Sequence, residues 1–144
     1  MSKNIRHITQ ETIATITTSL AQVSPLFNEL IPSFTTRYAE KLAKCLECTH
    51  KKMEPLKEIS TLYYMINKER PFPSGNKRIA LAILLHYLAH EDKWLNATPE
   101  QLFGFAHWVS MAPADAQDEV IAYIEKFINK HMVNENMKKG NKEN

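Results

Sequence analysis

Apolar residues recur along most of this chain at spacings of three and four, the period of a helix with one buried face. Ile13, Ile16, Leu20 and Val23 predict a helix over residues 8–23. Ser24-Pro25 reads as a helix start, with a capping oxygen and then proline in the first turn. Pro32-Ser33 interrupts the pattern or begins the next helix, where Phe34, Tyr38, Leu42 and Cys45 form a stripe. Glu54-Pro55 opens another helix, with Leu56, Ile59, Leu62, Tyr63 and Ile66 on one face. That helix ends before Pro71. From about Asn76 to Glu91 the pattern changes: Ile79 to Leu85 is apolar nearly all round, which predicts a central helix rather than a peripheral one. Trp94 to Ala97 reads as a linker.

Thr98-Pro99-Glu100-Gln101 is a capping box with proline in the first turn, and Leu102, Phe105, Ala106 and Val109 follow as the buried stripe. Asp115 is placed to cap a last helix carrying Val120, Ile121, Ile124, Phe127 and Ile128. No convincing strand pair and no internal repeat is visible. The expected fold is all-α: a compact bundle of six to seven helices around one buried central helix. The expected domain is 1–131, with 132–144 a polar, Lys- and Asn-rich disordered tail.

Composition narrows this only a little. A chain of 144 residues with 44% hydrophobic and 24% charged residues suits one globular domain. The net charge of +2 is too small for a dedicated nucleic-acid binder. Met1 to Gln10 is polar, and the longest apolar run falls far short of the ~20 residues that span a bilayer. The expectation is a cytoplasmic protein with no nucleic-acid and no membrane partner. Cys45 and Cys48, with His50 behind them, lack a second Cys/His pair for zinc and a βαβ setting for redox chemistry. They read as ordinary reduced thiols, one of them buried, so no metal site is expected there.

The candidate chemistry lies at Arg70-Pro-Phe-Pro-Ser-Gly-Asn-Lys-Arg78. Pro71 and Pro73 keep this segment out of a helix and push Arg70 and Phe72 toward extended backbone. Gly75 can take angles that other residues avoid. A helix starting near Asn76 turns its unpaired N–H groups back toward the loop, where Lys77 and Arg78 add two full charges. Lys68 and Arg70 lie close in sequence, opposed only by Glu69. These residues fit an anion site, and they fit equally a tight turn with a solvated basic patch.

The segment resembles the signature of the Fic/Doc family, roughly HxFx(D/E)(G/A)N(G/K)R. The matching positions are Phe72, Gly75, Asn76, Lys77 and Arg78, and the likeness spans about residues 55–130. The resemblance implies a helical fold with a small β-hairpin flap near residues 48–55. It implies nucleotide binding, with ATP as cofactor, by Ser74, Gly75, Asn76, Lys77 and Arg78, and a loop anchored by Phe72. Inward packing is also what Phe72 would do in any globular protein. Lys77, where AMP-transferring relatives usually carry glycine, points to the Doc (death-on-curing) branch. That branch implies a toxin that phosphorylates a protein hydroxyl, with elongation factor Tu as target and an antitoxin protein as partner. Adenylylation is the alternative chemistry.

Two departures bear on mechanism. Arg70 stands at the catalytic position of the family's His, its general base. A guanidinium has no acceptor and a pKa above ~12, so it cannot take a proton. Ser74 stands where the family has an acidic residue that helps to hold Mg²⁺, and it lacks the carboxylate that this cation prefers. His86 lies ten residues beyond Asn76 on the same helix, roughly 15 Å away, and His90 is farther. Nothing in the sequence places His50 near the loop. Thr36 to Glu40 has the spacing of the family's inhibitory helix, but Lys41 follows where Gly or Asn is required. Inhibition is therefore expected from a separate partner. The reading is a Doc-type transferase that is degenerate or inactivated. The alternatives are a non-catalytic nucleotide-binding pseudoenzyme and a helical interaction protein.

Overall fold

The computed structural model describes residue 9 and residues 11–16, 39–49, 53–72 and 75–134. Among these residues six helices follow one another: α1 at 11–16, α2 at Ala39–Glu47, α3 at Pro55–Glu69, α4 at Asn76–His90, α5 at Pro99–Met111 and α6 at Gln117–His131. The all-α expectation holds. Ile13, Leu42 and Cys45 are buried, as the early stripes predict. The segments around Ser24-Pro25, Pro32-Ser33, Phe34 and Tyr38 lie outside the described residues, as does the middle of the flap expected at 48–55.

Local signals set several boundaries. Pro55 occupies the first turn of α3 after Glu54. Thr98 and Gln101 form a reciprocal capping box at the start of α5, the Gln101 N–H donating to Thr98 Oγ1 at 3.1 Å and the Thr98 N–H to Gln101 Oε1 at 2.9 Å. The start of α6 differs from expectation. Asp115 lies inside a 3₁₀ turn, Ala114–Ala116, and Ala116 takes the cap position with no side-chain bond. The Ala116 N–H donates to Pro113 O at 3.1 Å and winds this turn tightly, which carries Asp115 past the cap.

Among the described elements α3 is the hub. It packs against α2, α4, α5 and α6, whereas α4 packs against α3, α5 and a short strand. Ile59, Leu62 and Ile66 of α3 and Ile79, Ile83 and Leu88 of α4 are essentially inaccessible to solvent. Face-to-face stacking of Phe105 on Phe127, with centroids 4.0 Å apart, joins α5 to α6.

The expected linker is in part a strand. Lys93–Leu95 (β1) pairs antiparallel with Met132–Asn134 (β2), in the register Lys93 to Asn134, Trp94 to Val133 and Leu95 to Met132. The first three residues of the expected tail therefore belong to the fold. The Asn96 N–H extends the pairing to His131 O at 2.7 Å. This ribbon ties the end of α6 to the chain leaving α4 and is formed by other residues than those of the expected flap. Among the described residues no helix is long and apolar enough to cross a membrane.

Candidate functional site

Among the described residues, the Asn76 side chain holds the loop between α3 and α4. The Phe72 N–H donates to Asn76 Oδ1 at 3.0 Å, and Asn76 Nδ2 donates to Phe72 O at 2.7 Å. The backbone chemistry of Phe72 fixes the orientation of the amide, since a carbonyl only accepts and an N–H only donates. Both residues are buried. The Phe72 side chain packs inward, 2% exposed. The Asn76 amide, which the resemblance assigns to phosphate, makes both of these bonds within the loop.

Gly75 caps α4 with φ 76° and ψ 13°, in the left-handed region where a side chain is strained. Its carbonyl accepts from the Ile79 N–H at 2.9 Å to close the first turn. The opening N–H groups of a helix have no acceptor within it, so this end of α4 presents donors and partial positive charge.

Arg70 ends α3 in the left-handed region, φ 49° and ψ 62°, not the extended conformation expected before Pro71. Proline disfavours a further right-handed turn at that residue. The Arg70 N–H donates to Ile66 O at 3.1 Å, a helix-terminating bond that a left-handed cap satisfies. A non-glycine residue held this way stores strain at the loop entrance.

These pieces line one cleft of about 480 Å³, within the usual range for small-molecule sites. Arg70, Lys77 and Arg78 bring three cations to it, beside Gly75 and Asn76. The opposite wall comes from α5, through Leu102, Phe103 and Ala106. Sequence reasoning assigned Leu102 and Ala106 to the core and passed over Phe103. The available signal was that Phe103 falls off the buried stripe of its helix, and it is 66% exposed. Asn67 also reaches the cleft, one turn before Arg70, with its Nδ2 donating to Tyr63 O at 2.9 Å. Ser74 lies outside the described residues, as does His50.

Lys68 does not join the cluster. Its Nζ donates to Ser110 O at 3.2 Å and to Ala112 O at 2.5 Å, closing the C-terminal end of α5. Lys68→Met is therefore expected to cost about 1–2 kcal/mol of stability. A lowered denaturant midpoint with unchanged anion affinity would bear this out. A matching loss of anion affinity would return Lys68 to the site.

None of the described residues lining the cleft is His, Asp, Glu or Cys. His86 and His90 lie in the last turns of α4, ring centroids 4.7 Å apart, and do not line it. Cys45 is buried and unbridged, and burial, with Glu69 next, pushes its thiol up to about 12. That is the state of an inert core thiol. No group of three or more His, Cys, Asp or Glu placed to hold a metal occurs among the described residues.

A family model described as Fic/DOC family matches residues 3–88, more than half of the chain. This protein belongs to the Fic/Doc family. Comparison with curated proteins and with solved structures returns no match. The match departs from the expected span of 55–130. It reaches back almost to the start of the chain and stops inside α4. All of α3 and the loop therefore fall within the Fic/Doc match, while α5, which builds the far wall of the cleft, falls outside it. Membership associates the chain with transfer of AMP or phosphate to proteins in general.

Proposed function

We propose that this protein binds the phosphate chain of a nucleotide, ATP by family analogy, and lacks the group that would carry out transfer. The observation that carries the reading is the cleft wall: three cations and the N-terminus of α4, with no proton acceptor among the described lining residues. Phosphates fit that wall, because helix N-termini and guanidinium groups are their usual partners. Arg70, Lys77 and Arg78 would neutralise charge, and the first N–H groups of α4 would donate hydrogen bonds. The apolar side chains of α5 suit the nucleoside end of the ligand.

Transfer from ATP needs a base to take the proton of the accepting hydroxyl. Arg70, at the family's base position, is permanently protonated and serves only as an anion ligand. The described donor set also offers no carboxylate to a divalent cation, so we derive no step through Mg²⁺. Lys77 favours phosphate over AMP as the group that an active form would transfer. The corresponding target is a protein hydroxyl, with elongation factor Tu and a separate antitoxin as the partners suggested by analogy.

Calorimetry with ATP tests this. Binding is expected at micromolar to millimolar nucleotide, weakening as salt rises. Lys77→Ala should weaken it by about tenfold, the effect of losing one charge-assisted bond. No heat at millimolar ATP, from folded protein, would leave the helical interaction protein as the better reading.

A further inference from the structure

From the rim of the cleft outward, α5 and α6 carry large apolar side chains on their open surface. Phe103 (66%), Trp108 (43%), Met111 (70%) and Tyr123 (57%) are all exposed there. Aromatic side chains carry roughly 150–250 Å² each. Trp108, Met111 and Tyr123 line one groove and together present a few hundred square ångströms, the scale of patches that mark interaction sites. That is also a large share of the ~800 Å² that one partner gives to a standard interface. The Trp108 and Tyr123 rings meet at 5.2 Å and join the two helices into one surface. A groove of about 410 Å³ runs beside them, lined by Met111, Pro113, Glu119 and Val120 as well as the two rings.

Two further observations say what fits this face. Gly104 lies on the same strip of α5 as Trp108 and Met111, at i, i+4 and i+7. A Cβ placed on Gly104 would meet nothing within 4 Å. Glycine is a poor residue for a helix interior, and nothing in the described fold requires it here. It does allow a foreign backbone to come close. On α6, Glu119 and Lys126 flank Tyr123 on one face, with Lys126 Nζ 5.9 Å from the centroid of its ring. The face is therefore acidic at one end, apolar in the middle and basic at the other end.

We propose that this face is the interface of a two-fold homodimer. A second copy laid antiparallel about an axis near Tyr123 sets Glu119 of each copy against Lys126 of the other. An unrelated partner would have to supply an acid, an apolar centre and a base in reversed order. A two-fold operation supplies them without any further requirement. The closed contact covers Trp108 and Met111 and brings the helices together at Gly104. Phe103 also lines the nucleotide cleft, so the seam runs along the rim of each cleft.

Sedimentation of the full chain over a range of concentrations tests this. A reversible monomer–dimer equilibrium is expected. Met111→Glu with Tyr123→Glu should give monomer with unchanged helical content, since both side chains are exposed. Gly104→Leu should do the same by blocking close approach. Glu119→Lys alone, and Lys126→Glu alone, should each weaken the dimer by about five- to tenfold, because each change breaks two symmetric pairs. The double exchange should recover the dimer. A monomer at every concentration overturns the proposal, and so does a dimer indifferent to Met111, Tyr123 and Gly104. A charge exchange that recovers nothing overturns the antiparallel two-fold arrangement.

Discussion

Arg70→His combined with Ser74→Asp is expected to raise transfer of phosphate from ATP to a protein hydroxyl by about 10²–10⁴-fold, the usual contribution of a positioned general base. The scaffold for that base is in place. Residue 70 terminates α3 beside the N-terminus of α4, and its side chain already lines the cleft. Its φ of 49° is one that histidine tolerates better than most residues. Imidazole there would carry an acceptor with a pKa near neutrality, where arginine carries none. The aspartate would add the hard oxygen ligand that Mg²⁺ prefers. Growth of a bacterium expressing the variant, with intact-mass measurement on modified proteins, reads the result. A phosphate increment is the expected outcome. An AMP increment would overturn the assignment to phosphate made from Lys77 while leaving the protein within the Fic/Doc family. No modification by a folded double variant would mean that Arg70 and Ser74 are not all that separates this chain from activity, and pure nucleotide binding would be the better description.

Asn76→Ala is expected to cost about 2–4 kcal/mol. It would remove two buried hydrogen bonds to the Phe72 backbone, one from its N–H and one to its carbonyl. An unsatisfied buried polar group typically costs about 1–3 kcal/mol. Asn76→Asp separates bracing from ligand contact. A carboxylate still accepts from the Phe72 N–H but cannot donate to its carbonyl, so about half the loss should remain. Urea unfolding measures both variants, and nucleotide calorimetry on the folded fraction reads the site. If Asn76→Ala unfolds at the wild-type midpoint and loses only nucleotide affinity, Asn76 is a ligand and not a brace.

Features that depend on neighbours a few residues apart are legible along the chain. The stripe through Ile59, Leu62 and Ile66, the capping box at Thr98 and Gln101, and the start of α4 at Asn76 are set by helix period and local hydrogen bonding. The cationic loop was legible for the same reason, because Lys77 and Arg78 open the helix that they charge. Arg70 and Ser74 were legible as departures, since each removes a function that no rearrangement of the same atoms restores.

Which distant groups meet follows from the packing of the folded chain. Lys68 looks like part of the basic cluster in one dimension, yet it closes the end of a helix more than forty residues on. The pairing of β1 with β2 joins residues about as far apart, through three-residue strands too short to carry a period. Arg70 is left-handed because Ile66 and Pro71 act on it from opposite sides, a balance that the proline rule alone misses. Asn76 meets Phe72 because the loop folds back on the helix, a contact that helical period alone does not report. The wall of the cleft supplied by α5 follows from the packing of α5 on α3 and α4. Its helical pattern marks Leu102 and Ala106 as buried and is silent about what they face, because periodicity reports a face and not its partner.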